Sequence, residues 1–536
     1  MRVLFVIRHR GYVRLFDAML RELAARGHHV HLAFERDDQR ATSSSEHALA
    51  DRLCAELPSL TQGPAPVRAD GWVTLAAGLR RAIDYLRYLA PVYADAPKLR
   101  ARGARDAPGI VVALTRLPGM SSPAVVRALD RVLRATERAV PRSAQVDAYL
   151  REHAPDLLVV TPLIAEPSQE DFVRSARALG IRSALCVASW DNLTNKGLIR
   201  DLPERIYVWN SDQEREAVEL HDIPPERLEA TGAHSFDQWF AWRPSTEERE
   251  FRERVGLPAG GPLLLYLCSS NFIAPNEPRF VAGWVRRLRE HPDPRLREAA
   301  ILVRPHPKSG PKQWKGIDVA GEPGVAVWPP TGATTGDAEA KSEFFDSMYH
   351  CDAVVGLNTS AIIESAIVGR PAYTVLAPEY AGTQQGTLHF HYLVAENGGP
   401  LQVAESFDEH LAQLAAALAP GGAPARADEF LRRFLRPRGL ERPATPELVD
   451  ALEAQAARPA PAPAVPDHPA WLPAALRVPA TVAVVAERRS GAWRGWRRRA
   501  ERRLRRARRT ARTGSRRLQR LRRRYGGPLA RPRTRR

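Results

Sequence analysis

The sequence predicts an α/β protein of two Rossmann-like domains facing a cleft, with a helical insertion in the first and a basic C-terminal tail. Three observations carry that reading. Residues 3–7 read as a strand, 12–25 as a helix stopped by Gly27, and 29–34 as a second strand, which is a βαβ opening. A charged helix running into a Gly/Pro loop at 243–258 marks a crossover, after which apolar runs at 261–267, 300–303 and 353–357 open a second sheet. The stretch AVVGLNTSAIIESAIVGRP, 353–371, passes from a buried strand through Asn358, Thr359 and Ser360 as turn and N-cap. It then enters a helix closed by Gly369 and stopped by Pro371.

That last stretch is how a phosphate seat is built. The unpaired amides of a helix start, with the positive end of the dipole, favour an anion. Glu364 lies one turn past Ser360 on the same face, where a carboxylate accepts both hydroxyls of a ribose, so the pair points to a nucleotide. An ordinary capped helix, with Glu364 favouring its own first turn, fits these residues equally. The strand at 300–303 ends in Arg304-Pro305-His306-Pro307-Lys308, placing three potential cations beyond a strand end, where ligands of open α/β sheets bind. A basic surface turn is the plainer alternative.

Taken together, RPHP followed by a strand, a small polar turn, a helix with an internal Glu and GRP resembles the C-terminal domain of GT-B glycosyltransferases. It is similar in particular to the CDP-glycerol glycerophosphotransferases and the non-hydrolysing UDP-N-acetylglucosamine 2-epimerases. The segment VWNSDQEREAVELHDIPPERLEATGAHSFD, 208–237, resembles the strand, helix and TGA turn before their domain crossover, and the likeness covers residues 1 to about 450. The resemblance implies that Glu364 holds the ribose, Asn358, Thr359 and Ser360 the phosphates, and His306 with Arg304 the diphosphate. Asn358-Thr359 stands where those relatives more often show a serine or glycine pair, which leaves the donor open.

In the resembled fold the loop after the first strand faces the cleft, which makes Arg10 a donor-phosphate contact and His9 a candidate base; a solvated histidine is the alternative. The strand at 156–161 ends at Thr161 with Glu166 soon after, a further candidate acid or base. The strand at 183–188 runs into Ser189-Trp190-Asp191-Asn192, which puts the Asp191 carboxylate at the cleft mouth, in reach of an acceptor hydroxyl's proton. An Asx turn is the structural alternative. Ser269 and Ser270, after the strand at 261–267, offer hydroxyls and amides for a sugar or phosphate, or make a plain turn. His389 and His391 follow GTQQGT and are placed to reach the cleft by position alone.

Leucines at helical spacing between Trp72 and Pro141, interleaved with arginines, predict a helical insertion packed on the first domain or an acceptor- or membrane-facing lid. The domain plan is 1–245 with that insertion, 246–453 for the donor domain with a last helix resembling the one that packs back, a Pro/Ala linker 454–487, and a tail 488–536. The tail holds 23 arginines and one acid, a net +22, against 56 bases and 60 acids elsewhere. Trp493, Trp496, Ala500, Leu504, Ala507 and Ala511 form one stripe at the helical period, a basic amphipathic helix suited to an anionic membrane. Nonspecific nucleic-acid binding and a solvated disordered tail are the weaker readings.

Four scattered cysteines, Cys54, Cys186, Cys268 and Cys351, form no metal spacing and suit a reducing compartment. With no signal-like start and no apolar run of spanning length, the expected location is cytoplasmic, peripheral at the inner membrane face. No cofactor is expected. No DxD-like pair follows a strand, so metal-independent catalysis is expected. These readings converge on a GT-B-like transferase moving a glycosyl or glycerophosphoryl group from a nucleotide-activated donor to a saccharide or lipid-linked acceptor in surface-polysaccharide synthesis. A nucleotide-sugar 2-epimerase and a non-catalytic nucleotide-binding scaffold are the alternatives.

Overall fold

Short apolar runs rich in Val, Leu, Ile and Ala, several of them buried along their whole length, form the central strands, and the absence of alternation there is what a sheet covered on both faces requires. In the computed structural model, which describes residues 1–36, 44–162, 168–307, 314, 319, 321–329, 338–421, 427–465 and 468–485, they build two parallel sheets. The first comprises β1 (Arg2–Ile7), β2 (His29–Phe34), β3 (Leu60–Pro64), β4 (Leu157–Thr161), β5 (Arg182–Cys186), β6 (Arg205–Val208) and β7 (Leu228–Ala230), in the order β3-β2-β1-β4-β5-β6-β7. The second comprises β8 (Leu263–Leu267), β9 (Ala300–Arg304), β10 (Val325–Val327), β11 (Ala353–Gly356), β12 (Ala372–Val375) and β13 (Leu401–Ala404), in the order β10-β9-β8-β11-β12-β13.

Each order reverses once, between β1 and β4 and between β8 and β11, the two places where a doubly wound sheet opens a crevice for ligands. Register is set by the strand centres, with Phe5 opposite both Leu32 and Val159, and Leu265 opposite Leu302 and Val354. Two Rossmann-like domains are therefore present. The chain divides into two units, residues 1–70 with 76–469, and residues 71–75 with 470–536; both sheets belong to the former.

The expected helix at 12–25 divides into a 3-10 turn, Arg10–Leu15, and an α-helix, Asp17–Ala25. Phe16 stands between them with φ −118°, fully buried, its ring edge-on to Phe5 at 5.0 Å and 4.9 Å from His234. Burying that ring breaks the helical path. The insertion is helical throughout its core, with Val73–Arg87, Pro97–Asp106, Gly109–Thr115 and Pro123–Arg138.

That insertion is keyed to the first sheet by charge as well as by apolar packing. Arg80, wholly buried, reaches Glu137 at 2.7 Å and Asp171 at 3.0 Å, and Arg200 reaches Asp84 at 3.0 Å and Glu170 at 3.2 Å. Burial pushes the Glu170 carboxyl up to about 7 against the pull of Arg200.

Crossing back at the end, helix Ala444–Ala456 packs Leu448, Val449 and Leu452 into the first domain's core. Gln455 donates to the Ser183 carbonyl at 2.9 Å, and Tyr207 donates to the Ala451 carbonyl at 2.9 Å. Asp237 clamps the return by accepting the Ala444 and Thr445 amides at 3.0 and 2.6 Å and pairing with Arg436 at 2.8 Å. Gly232 of the TGA turn has φ +92°, and a Cβ there would lie 2.6 Å from that of Ala444, so the close approach of the two crossovers requires glycine. Among the described residues no helix is long and apolar enough to cross a membrane. The tail, 488–536, lies outside the described residues.

Candidate functional site

Between the carboxyl edges of the two sheets lies a cavity of about 150 Å³. The first domain contributes Arg14 and Leu15 from the turn after β1, and Ser189 and Trp190 from the loop after β5. The second contributes Ser360 and Glu364 from the β11 turn and helix, with Lys341 and Phe344 from helix Ala338–Tyr349. Trp239 and Trp242 of the crossover meet at 4.8 Å with their ring planes tilted by 53° and, with Trp190, make an aromatic wall of the kind that takes a base or sugar face.

The expected strand, turn and helix are present as β11, residues 357–360 and Ala361–Ile367, with Gly369 at φ +76° closing the helix. The cap differs from expectation: Ser360 is itself helical and makes no capping bond, and the Ala361 amide approaches Thr359 Oγ1 at 3.4 Å instead. Ser360 is thereby left facing the cavity, one turn from Glu364. Burial pushes the Glu364 carboxyl up to about 7, opposed by the Arg14 charge, while burial lowers Lys341, opposed by Asp17 at 4.0 Å.

A pH dependence follows. A ribose diol donates two hydrogen bonds, which both oxygens of an ionised carboxylate at Glu364 would accept; protonation turns one of those oxygens into a donor and weakens the pair. Nucleotide affinity is therefore expected to rise by up to about tenfold from pH 6 to pH 8, the carboxylate being the minor form below about 7 and the major form above it. Titration calorimetry of the wild type against Glu364→Gln checks this. Any dependence from the nucleotide's own phosphate or from Lys341 persists in the variant, and the Glu364 component disappears.

Other sequence candidates are placed differently. Asn358 is buried and donates to the Thr383 carbonyl at 2.8 Å, and its amide donates to Ser269 Oγ at 3.3 Å. Ser269 is buried too, its own amide held by Glu277 at 2.7 Å, so this pair stitches the β8–β11 crevice rather than lining the cavity. Ser270 is half-buried, and its carbonyl accepts the Ile273 and Ala274 amides in the following turn. Arg304 turns away into the helix beside it, bonded to Ser347 at 2.5 Å and paired with Glu343 at 3.2 Å. His306 is half-buried and outside the cavity lining.

Arg10 points to the far side of its loop, where Asp51 at 2.7 Å and Gln62 at 2.8 Å hold it. His9 caps the turn, its Nδ1 accepting the Gly11 amide at 3.2 Å. In place of Arg304 and Arg10, the cations at the cavity are Arg14 and Lys341. Arg14 stands one helical turn past Arg10, the only local hint that it shares the loop's task. Glu166 lies outside the described residues.

Asp191 sits where the loop after β5 meets the second domain. Its carboxylate accepts from Asn195 Nδ2 at 2.7 Å and faces His389, which packs edge-on against Trp190 at 4.7 Å with Nδ1 3.2 Å from Thr194 Oγ1. Burial opposes ionisation of Asp191, yet the Lys196 charge, with a hydrogen bond from Ser189, overcomes it and holds the carboxyl below its usual range. Burial likewise lowers His389 to about 4, leaving a neutral imidazole. No group of His, Cys, Asp and Glu among the described residues is arranged to hold a metal ion.

No protein-family model and no curated protein sequence matches this chain. Solved structures similar to it include UDP-GlcNAc 2-epimerase from Neisseria meningitidis bound to UDP-GlcNAc, with 11% identity, TM-score 0.46, and 85% of this chain and 100% of that one covered. They also include the calicheamicin glycosyltransferase CalG4, with 14% identity, TM-score 0.43, and coverage of 86% and 99%. MurG from Acinetobacter baumannii is similar at 12% identity and TM-score 0.43, with coverage of 84% and 99%. The fold assignment rests on the strand order and register of the two sheets, independently of these likenesses.

Proposed function

We propose that this chain is a GT-B-like transferase that moves a glycosyl or glycerophosphoryl group from a nucleotide-activated donor to a membrane-associated acceptor in surface-polysaccharide synthesis. The observation that carries the reading is the placement of Glu364 and Ser360 across one cavity from Arg14 and the tryptophan wall. Glu364 accepts the ribose hydroxyls, Ser360 with Arg14 and Lys341 takes the phosphates, and Trp190, Trp239 and Trp242 cover the flat faces of base or sugar. For glycosyl transfer, the acceptor hydroxyl gives its proton to the Asp191 carboxylate as its oxygen bonds the anomeric carbon. The bond from that carbon to the phosphate oxygen breaks, and the nucleoside diphosphate leaves with the electron pair. Charge growing on that leaving group is met by Arg14 and Lys341.

The arginine-rich tail with Trp493 and Trp496 serves to hold the enzyme at an anionic membrane, each cation near the surface contributing roughly 1 kcal/mol. The full chain is expected to sediment with anionic vesicles at physiological salt. It is expected to release free nucleotide from one nucleotide-activated donor only when a membrane extract supplies acceptor. Release of nucleotide without any acceptor consumed favours the epimerase reading, and tight nucleotide binding with no turnover of any donor favours the scaffold. Failure to sediment removes the membrane role.

A further inference from the structure

The segment after β12 is polar yet buried at Thr383, Gln384, Thr387 and His389, a combination that requires its groups to find partners inside the protein. Its first half is fastened to the carboxyl edge of the second sheet. Asn358 donates to the Thr383 carbonyl at 2.8 Å and to the Thr387 hydroxyl at 3.3 Å, and Gln384 donates to the Leu357 and Val375 carbonyls at 3.3 and 3.1 Å. Asn358 stands two residues before Ser360, so the segment is anchored on the turn that carries Ser360 to the cavity.

Directly beyond that anchor the chain crosses to the first domain at three points. Leu388 packs beside Tyr88 and Tyr93 of the insertion, His389 meets Trp190 and Thr194, and the Tyr392 hydroxyl donates to Glu216 at 2.7 Å. Of these, His389 grips the loop after β5 on both sides of Asp191. Trp190, the residue before, lies edge-on to the imidazole at 4.7 Å. Thr194, three residues after, belongs to the helical turn Asn192–Asn195; its hydroxyl donates to the Asp191 carbonyl at 3.2 Å and lies 3.2 Å from His389 Nδ1. A hydroxyl has one hydrogen, so with that hydrogen on the Asp191 carbonyl the neutral imidazole presents Nδ1–H to Thr194 Oγ1. Asn195 of the same turn holds the Asp191 carboxylate at 2.7 Å.

We propose that residues 383–392 are a brace that sets the Asp191 loop against the donor turn, and that His389 is its positioning residue. Asp191 comes from the first domain and Ser360 and Glu364 from the second, so the distance from base to donor is a distance between domains. A displacement of about 1 Å at such a place costs on the order of 100-fold in rate. A tie that starts at Asn358 and ends on the residues flanking Asp191 fixes that distance through a single loop. The brace rests on the contacts themselves; its service to a catalytic base rests on the transferase reading.

The test is hydrogen exchange of the full chain, read by mass spectrometry on peptides covering 189–197, in wild type, Thr194→Val, His389→Ala and His389→Asn. The Asn195 and Lys196 amides, bonded to the Asp191 and Asn192 carbonyls at 3.1 and 2.9 Å, report the order of the turn. Thr194→Val fills the same space without the hydroxyl and is expected to speed their exchange about fivefold, with β1 and β8 as in wild type. His389→Ala is expected to do the same from the other domain, and the two together to do no more than either alone. The Asn amide stands where Nδ1 does and is expected to restore most of the protection. With donor and acceptor supplied, kcat is expected to fall about 10- to 100-fold in His389→Ala and to recover in His389→Asn, nucleotide affinity staying within about threefold. Unchanged exchange over 189–197, or a rise shared equally by β1 and β8, would overturn the brace. Faster exchange with turnover intact, or nucleotide affinity lost in step with turnover, would overturn the positioning role. The expected exchange in a protein whose wild type turns over no donor would remove the transferase reading and leave the brace standing.

Discussion

Asp191→Asn is expected to lower turnover by about 10²- to 10⁴-fold while nucleotide affinity stays within about twofold of wild type. The substitution keeps size and shape, and the Asn side-chain oxygen still accepts from Asn195, whose Nδ2 lies 2.7 Å from the native carboxylate. What it removes is the charge that Lys196 stabilises and that the proposed mechanism needs to accept the proton. His389 does not substitute, because burial keeps its imidazole weakly basic, near 4, and its Nδ1 is engaged near Thr194. Steady-state turnover beside nucleotide titration separates the two effects. A variant with full turnover would clear Asp191 of the base role, and one that loses nucleotide affinity in step with turnover would make it a structural residue of the cleft.

Arg80→Met is expected to cost about 3–5 kcal/mol of stability, read as a fall in the denaturant midpoint. Arg80 is wholly buried between Glu137 at 2.7 Å and Asp171 at 3.0 Å, and removing it partly strands both carboxylates, which keep Arg200 at 3.5 Å and Arg68 at 3.2 Å, in a medium that cannot solvate them. Adding Glu137→Gln to that variant should restore part of the loss, since one of the stranded charges disappears with it. A midpoint unchanged by Arg80→Met would mean that the insertion is held by its apolar contacts, such as Tyr85 and Leu86 against Val112 and Val126, without help from the ions.

How far these features were legible depended on whether their cause was local. The βαβ opening and the β11 turn and helix were readable because apolar runs, small polar caps and Gly369 are neighbours in sequence, and local sterics decide them. β3, with the sequence LTQGP, carries a Gly and a Pro and joins the sheet only because β2 offers it a parallel edge. β12 and β13, four residues each, are too short to show a period and are held by their neighbours.

At the site, Glu364 and Ser360 were readable from one helical turn of spacing. Arg304 was visible as a cation at a strand end, but nothing local says that Ser347 and Glu343 would claim it. Asn358 looked like a phosphate seat because its true partners, Thr383 and Thr387, lie in a distant loop. The buried meeting of Asp191 with His389 is equally nonlocal: the sequence supplied both residues, and only the facing of two domains makes them neighbours.

Thermal stabilisation of the full chain by UDP, CDP, GDP and TDP, with Glu364→Ala alongside, tests the central claim most directly. A ligand at 100 times its dissociation constant adds about 2.7 kcal/mol, ample for a clear rise in the midpoint. The account predicts that one of the four raises the midpoint of the wild type and leaves that of Glu364→Ala unmoved. A rise of equal size in both proteins would contradict the ribose role of Glu364, and no rise with any nucleotide would contradict the donor site itself.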